Sequence, residues 1–266
     1  MCNIQLPKGV FHAKRKNGES YYRVSVTYKS KHISLGSFDE LSDAGSAYTE
    51  GRNVIDNPSI SINDYADSYS LSFEKFVSLI NFRDNGMYFK NPIYILPKYF
   101  EYYYNRETVY KFDVDDLFFY SHHKIMKRNG HIFVADYGMQ TNILSRYGIH
   151  SHSVAGRDYI FVNGDSTDFR YKNIKIINKY KGVCKSLDNG RDIFTAKIHI
   201  IGDFIIGRYY SEAEAATAYN KAVTILKEKG LNISYEENYV EELSPIQYAA
   251  TYNAVKISQK ILNYTL

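Results

Sequence analysis

Apolar residues recur at every second position in two stretches of the chain. Tyr22, Val24 and Val26 alternate with Arg23, Ser25 and Thr27, and Phe194, Ala196 and Ile198 alternate with Thr195, Lys197 and His199. A period of two is that of a strand with one buried face and one open face. The same signals surround each stretch. Gly9-Val10 and Gly182-Val183 open a first short strand, Asn17-Gly18 and Asn189-Gly190 supply the residue pair of a tight hairpin turn, and Leu35-Gly36 and Ile206-Gly207 end a third strand. The period then lengthens to that of a helix, with Ala44, Ala47 and Tyr48 in one place and Ala215, Ala218, Tyr219 and Ala222 in the other. Ser42 and Ser211 are placed to cap these helices. Residues 9–48 and 182–219 thus form an internal repeat, and each copy predicts a three-stranded antiparallel sheet with one helix on its apolar side.

The stretch between the copies is patterned differently. SFEKFVSLI reads as a short helix within an aromatic connector, and the KRNG stretch from Lys127 to Gly130 reads as a turn leading into the strand HIFVA. After an acidic stretch near residue 240, SPIQYAATYNAVKISQKILNYTL predicts a terminal helix. Pro245 suits its first turn, and Ile246, Ala249, Ala250, Ala254, Ile257 and Ile261 form one stripe. The expected organisation is α+β and multi-domain: a sheet-plus-helix module at 1–58, a connector at 59–99, a middle domain at 100–180, a second module at 181–235, and a C-terminal helix at 243–266.

Composition narrows the class. A chain of 266 residues that is 44% hydrophobic and 23% charged is globular rather than disordered, and no apolar run approaches the ~20 residues of a membrane span. The start carries no apolar signal region, and the two cysteines, Cys2 and Cys184, cannot build a disulfide framework, so a reducing, cytoplasmic setting is expected. The net charge of +4 is mild, but its distribution is uneven. Seven Lys/Arg lie between Lys8 and Lys31 against Glu19 alone, and eight lie between Arg170 and Lys197 against Asp188 and Asp192. Local basic stretches of this kind suit a polyanion, since phosphate neutralisation depends on local charge. Gly-rich phosphate loops, paired CxxC and Gly-x-Ser-x-Gly elbows are missing from the sequence.

The repeated pattern resembles the apetala-two/ethylene-response-factor type of DNA-binding domain. FTAKI, IGRYY and EAEAATAY in the second copy are similar to its strand and helix lines, and YRVSV, LGSF and SDAGSAY follow them more loosely. The resemblance implies that the exposed sheet face enters the major groove of duplex DNA. By position, that face would include His12, Lys14, Arg15, Arg23, Ser25, Thr27 and His32, with Lys29 and Lys31 beside them, in the first copy. In the second it would include Lys185, Arg191, Lys197 and His199. The family's Trp and several of its base-reading Arg are not at their positions here, so its target sequence does not carry over.

VNGDSTDFRYKNIKIIN, directly before the second Gly-Val, resembles the closing line of HNH homing endonucleases, whose common domain order is also similar. Such a site needs a general base and a His/Asn/Asp set that holds a divalent ion in a ββα hairpin. Position by position, Ser145 replaces a His, Ile160-Phe161 replaces the Asp-His pair, and Phe169 replaces the central Asn. Asn163, Gly164, Asp168, Asn173 and Ile174 keep scaffold positions. Phe can neither ligate a hard cation nor take a proton. The resemblance therefore implies a degenerate ββα domain without catalytic residues, bound metal or cofactor. The expected function is sequence-specific binding of a long double-stranded DNA site on the nucleoid as a transcriptional regulator, with a homodimer through the C-terminal helix as a further option. Two rival readings stand beside it. One is an active nicking endonuclease with metal ligands displaced to His122, His123, His150, His152, Asp158, Asp165 or Asp168. The other is an adaptor that binds protein through its Tyr-rich middle.

Overall fold

The computed structural model describes residues 6–232 and 234–265, so Cys2 lies outside it. The fold is mixed α+β, with five small antiparallel sheets among the described residues. Contacts divide the chain into two compact units, 1–143 with 165–171, and 144–164 with 172–266. No helix among the described residues is long and apolar enough to cross a membrane.

The first unit opens with the first repeat: β1 (Val10–Lys14), β2 (Ser20–Tyr28), β3 (Lys31–Phe38) and α1 (Leu41–Asp56). The strands pair in the order β1-β2-β3. Val10, Val24, Val26, Ile33 and Leu35 are buried on one face, against Ala44, Val54 and Ile55 of the helix. The helix begins earlier than Ser42 would place it. Glu40 is its N-cap, because Leu41 already packs against this core.

The connector is no linker. Its helix, α2 (Phe73–Asn85), is longer than the short segment expected, and the Ser72 hydroxyl caps it by accepting from the Lys75 N–H. Phe76, Leu79, Ile80 and Phe82 enter the same core as the first sheet. The module boundary at 58 therefore gives way to a core continuing through residue 82, since α1 alone leaves this apolar surface uncovered. Two further three-strand meanders follow in this unit. β4 (Ile93–Ile95), β5 (Tyr99–Tyr103) and β6 (Val109–Asp113) form one, then comes α3 (Leu117–His122). The other is β7 (Ile125–Arg128), β8 (His131–Asp136) and β9 (Met139–Asn142). Asn129 and Gly130 both take positive φ in the predicted β7–β8 turn.

The second unit holds a two-stranded ribbon, β10 (Tyr159–Phe161) and β11 (Ile174–Ile176), and then the second repeat. The repeat comprises β12 (Val183–Asp188), β13 (Arg191–His199), β14 (Asp203–Tyr209) and α4 (Glu212–Glu228). Ser211 is the N-cap of α4, as its position suggested, although its side chain makes no capping bond. The helix expected of a ββα unit is reduced to a single 3-10 turn at Tyr171–Asn173, and β11 starts at the next residue. The single C-terminal helix is also corrected. The chain forms α5 (Pro245–Ala254) and a short α6 (Gln259–Leu262), separated by extended backbone at Val255. Ile246, Ala249, Ala250 and Ala254 are exposed, whereas Val255, Ile257 and Ile261 pack on the second module's core.

Candidate nucleic-acid interface

Cross-strand register decides which side chains share the open face of each sheet, because directly paired residues point the same way. In the first module Val10 pairs with Val24 and Val26 with Ile33, all buried against the helix. The opposite parity places Phe11, Arg23, Ser25, Thr27, His32, Ser34 and Ser37 on the outer face. Just beyond the strand ends Arg15, Glu19 and Asp39 continue the same parity, so this face carries two carboxylates at one end, both engaged by Arg15. The His32 Nδ1 lies 3.4 Å from the Thr27 hydroxyl, so these two polar groups are coupled across the strands.

This register separates the sequence-derived set. Arg23, Ser25, Thr27 and His32 lie together, but His12 and Lys14 follow the parity of Val10 and point to the helix side, beyond the helix's cover. The His12 ring stands edge-on to Tyr22 there, 5.8 Å away. Lys31, paired with Tyr28, is on that side too and stands over the Tyr88 ring. Lys29 occupies the β2–β3 turn at positive φ, where its ammonium donates to the Arg83 carbonyl. Arg15 is engaged with Asp39 at 2.5 Å and Glu19 at 3.4 Å. Hydrogen bonds from Asn17 and from Arg15 hold the Glu19 carboxyl below its ordinary range.

In the second module the outer parity belongs to Cys184, Ser186, Asp188, Arg191, Ile193, Thr195, Lys197, His199, Asp203, Ile205 and Arg208, so Arg191 and His199 each face a carboxylate across the strands. Lys185 is corrected to the inner side. It pairs with Phe194, bridges to Asp192 at 2.5 Å and leans over the Phe194 ring. Lys197 is half-buried and lines a cavity of about 290 Å³ with His152, Arg157, Lys181 and Cys184. Burial, with His150 and Lys181 adding repulsion, lowers the His152 pKa. His199 lies 2.8 Å from Asp203, whose carboxyl is lowered by that contact. Arg208, exposed opposite Thr195, escaped the sequence reading for a physical reason. Both sheets carry a bulge, at Leu35 and at Ile206, that buries the extra residue and shifts the alternation by one. Counting by twos from Ile206 therefore assigns Arg208 to the wrong side.

The positions that the sequence resemblance implied for a nuclease centre are used structurally. Phe169 is buried and stacked on Phe112, with ring centroids 5.5 Å apart, and so belongs to the aromatic core of the β5–β6 sheet. The fully buried Asp168 carboxylate is held by the Arg170 guanidinium through two nitrogens, at 2.8 and 2.5 Å. Asp165 accepts from Lys111 at 3.1 Å and from the Thr167 hydroxyl at 2.6 Å, and the Thr167 hydroxyl, against the upward push of burial, holds its carboxyl below the ordinary range. Asn173 is buried and accepts the Asn163 N–H with its side chain. Phe161 is half-buried in β10, and Ser145 is exposed in a 3-10 turn. Of the rival ligands, the His150 and His152 rings stack in parallel 5.3 Å apart, and the Asp158 carboxylate is engaged by Arg157. Among the described residues no three His, Cys, Asp or Glu converge as a metal-holding group.

No family model matches the sequence, and no curated protein and no solved structure matches it significantly.

Proposed function

We propose that this chain is a sequence-specific double-stranded DNA-binding protein that reads its site with the outer faces of the two repeated sheets, and that it acts as a transcriptional regulator on the nucleoid. The observation that carries this reading is the outer face of the first sheet. One Arg, four hydroxyls and an imidazole stand there at strand spacing, and the carboxylates that follow at the end of the face, Glu19 and Asp39, are paired by Arg15. Arg23 can address a guanine edge, Ser and Thr can address several bases, and exposed Phe11 offers an apolar contact to a thymine methyl. In the second copy, Arg208 opposite Thr195 supplies the same kind of group on the same face, with Arg191 beside it across from Asp188. Lys14 and Lys31, displaced to the flank of the first sheet, suit phosphates that position the protein without reading bases.

Loss of cleavage accompanies binding in this reading. The outline is that of a homing endonuclease whose centre has been given over to packing, as the burial of Phe169 and the Arg170 clamp on Asp168 support. The exposed side of α5, with Ile246 and Ala250, is the part of the C-terminal stripe left for a homodimer contact.

The decisive experiment is selection of bound fragments from random DNA in Mg²⁺, with the fragment ends sequenced. The proposal expects a long, enriched, uncut motif. New ends at a fixed place in that motif would mean that a nuclease centre operates, and no enrichment would favour the protein adaptor. Arg23→Ala should weaken binding to the selected motif by about 1–3 kcal/mol and relax preference at one base position.

A further inference from the structure

The two repeats differ in what lies along their third strand. In the second copy the edge of β14 is occupied by the chain itself. The Ser258 N–H donates to the Ile206 carbonyl at 2.7 Å, and the Tyr209 hydroxyl donates to the Lys256 carbonyl at 2.7 Å. An extended stretch of backbone followed by the short α6 thus closes that edge. In the first copy the equivalent strand is β3, and among the described residues Lys31–Phe38 make no main-chain hydrogen bond except to β2. Its edge forms one wall of an open groove of about 1030 Å³. The other wall comes from residues 72–91 and from α3, all within the first unit.

An open strand edge of this length is a template for a further strand. The groove's lining says what kind of strand fits. Lys31, Lys75, Lys90 and His122 border it, and no Asp or Glu is among its lining residues. Its apolar contribution includes Phe118, which is 69% exposed, and Tyr88, which is held between the ammonium groups of Lys31 and Lys75. A row of cations beside an exposed aromatic ring complements alternating carboxylates and apolar side chains.

We propose that the β3 edge is a docking site for an extended acidic peptide segment of a partner protein, which adds as a fourth strand to the first sheet. The occupied edge of the second repeat supplies the precedent for backbone pairing at this place in the module. The cations select against a basic segment such as the one that closes β14. Docking here is separate from base reading, since it uses the strand's edge and not the outer sheet face.

The test uses the full chain and a fluorescein-labelled peptide of about ten residues alternating Glu with Val or Tyr, long enough to span the strand. Binding is followed by anisotropy, and amide exchange is read at residues 31–36. The expected result is saturable binding that protects those amides. Lys31→Glu and Lys90→Glu should each weaken binding about ten-fold, as charge reversal at a steering contact does. Both lysines are exposed, so each variant's unfolding should match the parent's. The proposal is overturned if a Lys-for-Glu peptide binds equally, if the variants bind as the parent does, or if binding leaves the 31–36 amides unprotected. It is also overturned if a single-stranded oligonucleotide protects them and the acidic peptide does not, which would make the groove a nucleic-acid channel. None of these outcomes depends on duplex recognition by the outer faces.

Discussion

Gly9 and Gly182 adopt φ of +74° and +73°, and each lies beneath the ring of the tyrosine that ends its repeat's helical signature, Tyr48 or Tyr219. A Cβ at Gly182 would intrude on the Tyr219 ring and stand 2.5 Å from the Lys197 carbonyl. At Gly9 it would meet Tyr48 and stand 2.6 Å from the Ser25 carbonyl. The glycine's own carbonyl accepts the N–H of Ser25 or Lys197, so the start of the first strand is stitched to the centre of the second. Gly190 is a control with a similar φ of +77° and nothing within 4 Å. We expect Gly190→Ala to cost about 1–2 kcal/mol from the left-handed conformation alone. Gly182→Ala should cost clearly more in urea unfolding, because backbone and ring must both move. Equal losses would show that the Tyr219 contact is unimportant. The pairing of Gly with Tyr across the repeat was legible as a coincidence of spacing; that the two touch was not.

At the level of elements, single buried polar groups join segments that the sequence left as separate signals. The Arg83 guanidinium, with its side chain 7% exposed, donates to the carbonyls of Val54, Asn57 and Ile60 at 2.8–2.9 Å and so closes the C-terminal end of α1. Arg83→Ala should destabilise the first unit by roughly 2–3 kcal/mol, with Arg83→Lys recovering only part, since a single ammonium point lacks the spread of the planar guanidinium whose two terminal nitrogens reach the three carbonyls. Chemical denaturation monitored by amide exchange in α1 would measure this.

Asp158 plays the corresponding part in the second unit. It accepts from Arg157, the Val154 N–H and Asn178, whose own side-chain oxygen takes the Lys185 N–H of β12. Burial pushes its pKa upward, but these donors outweigh it and leave the carboxyl below its ordinary value. A depressed folded pKa means the stabilisation is present above the unfolded carboxylate range and is lost as pH falls through the folded value. Asp158→Asn should therefore cost about 1.5–3 kcal/mol at neutral pH. The gap from the parent should narrow below about pH 4. A gap that holds constant into acid would mean that the charge contributes nothing.

At the scale of the whole molecule, the proposal that both repeated sheets read DNA predicts avidity. Binding of one sheet raises the effective concentration of the other, so neither face has to bind tightly alone. Arg23→Ala and Arg208→Ala are each expected to leave measurable preference for the selected motif, and the double variant to fall towards salt-sensitive, non-specific binding. Replacing Lys14, which the proposal assigns to a phosphate, should instead weaken all sequences alike and lower the salt slope by about one. A double variant no weaker than either single would mean that only one module engages.

Much of this organisation follows from the chain's own local pattern. Alternation at Val24 and Val26 or Ala196 and Ile198 determines a buried sheet face, and the alanine stripe determines the helix that covers it, because both depend only on near neighbours in sequence. The Asn189-Gly190 turn, with φ of +50° and +77°, is legible for the same reason. Tertiary structure alone decided what depended on distant partners. The β-bulges shifted the phase of the third strands and brought Arg208 outward. Core continuity drew α2 into the first module. The Lys221 ammonium, bonding the Tyr252 and Val255 carbonyls, closes α5 where the stripe of apolar residues ran on, and frees the following backbone to cover β14. Periodicity reports which face of an element is apolar, but the register of one strand on the next and the partner that ends a helix are set by contacts far apart in sequence.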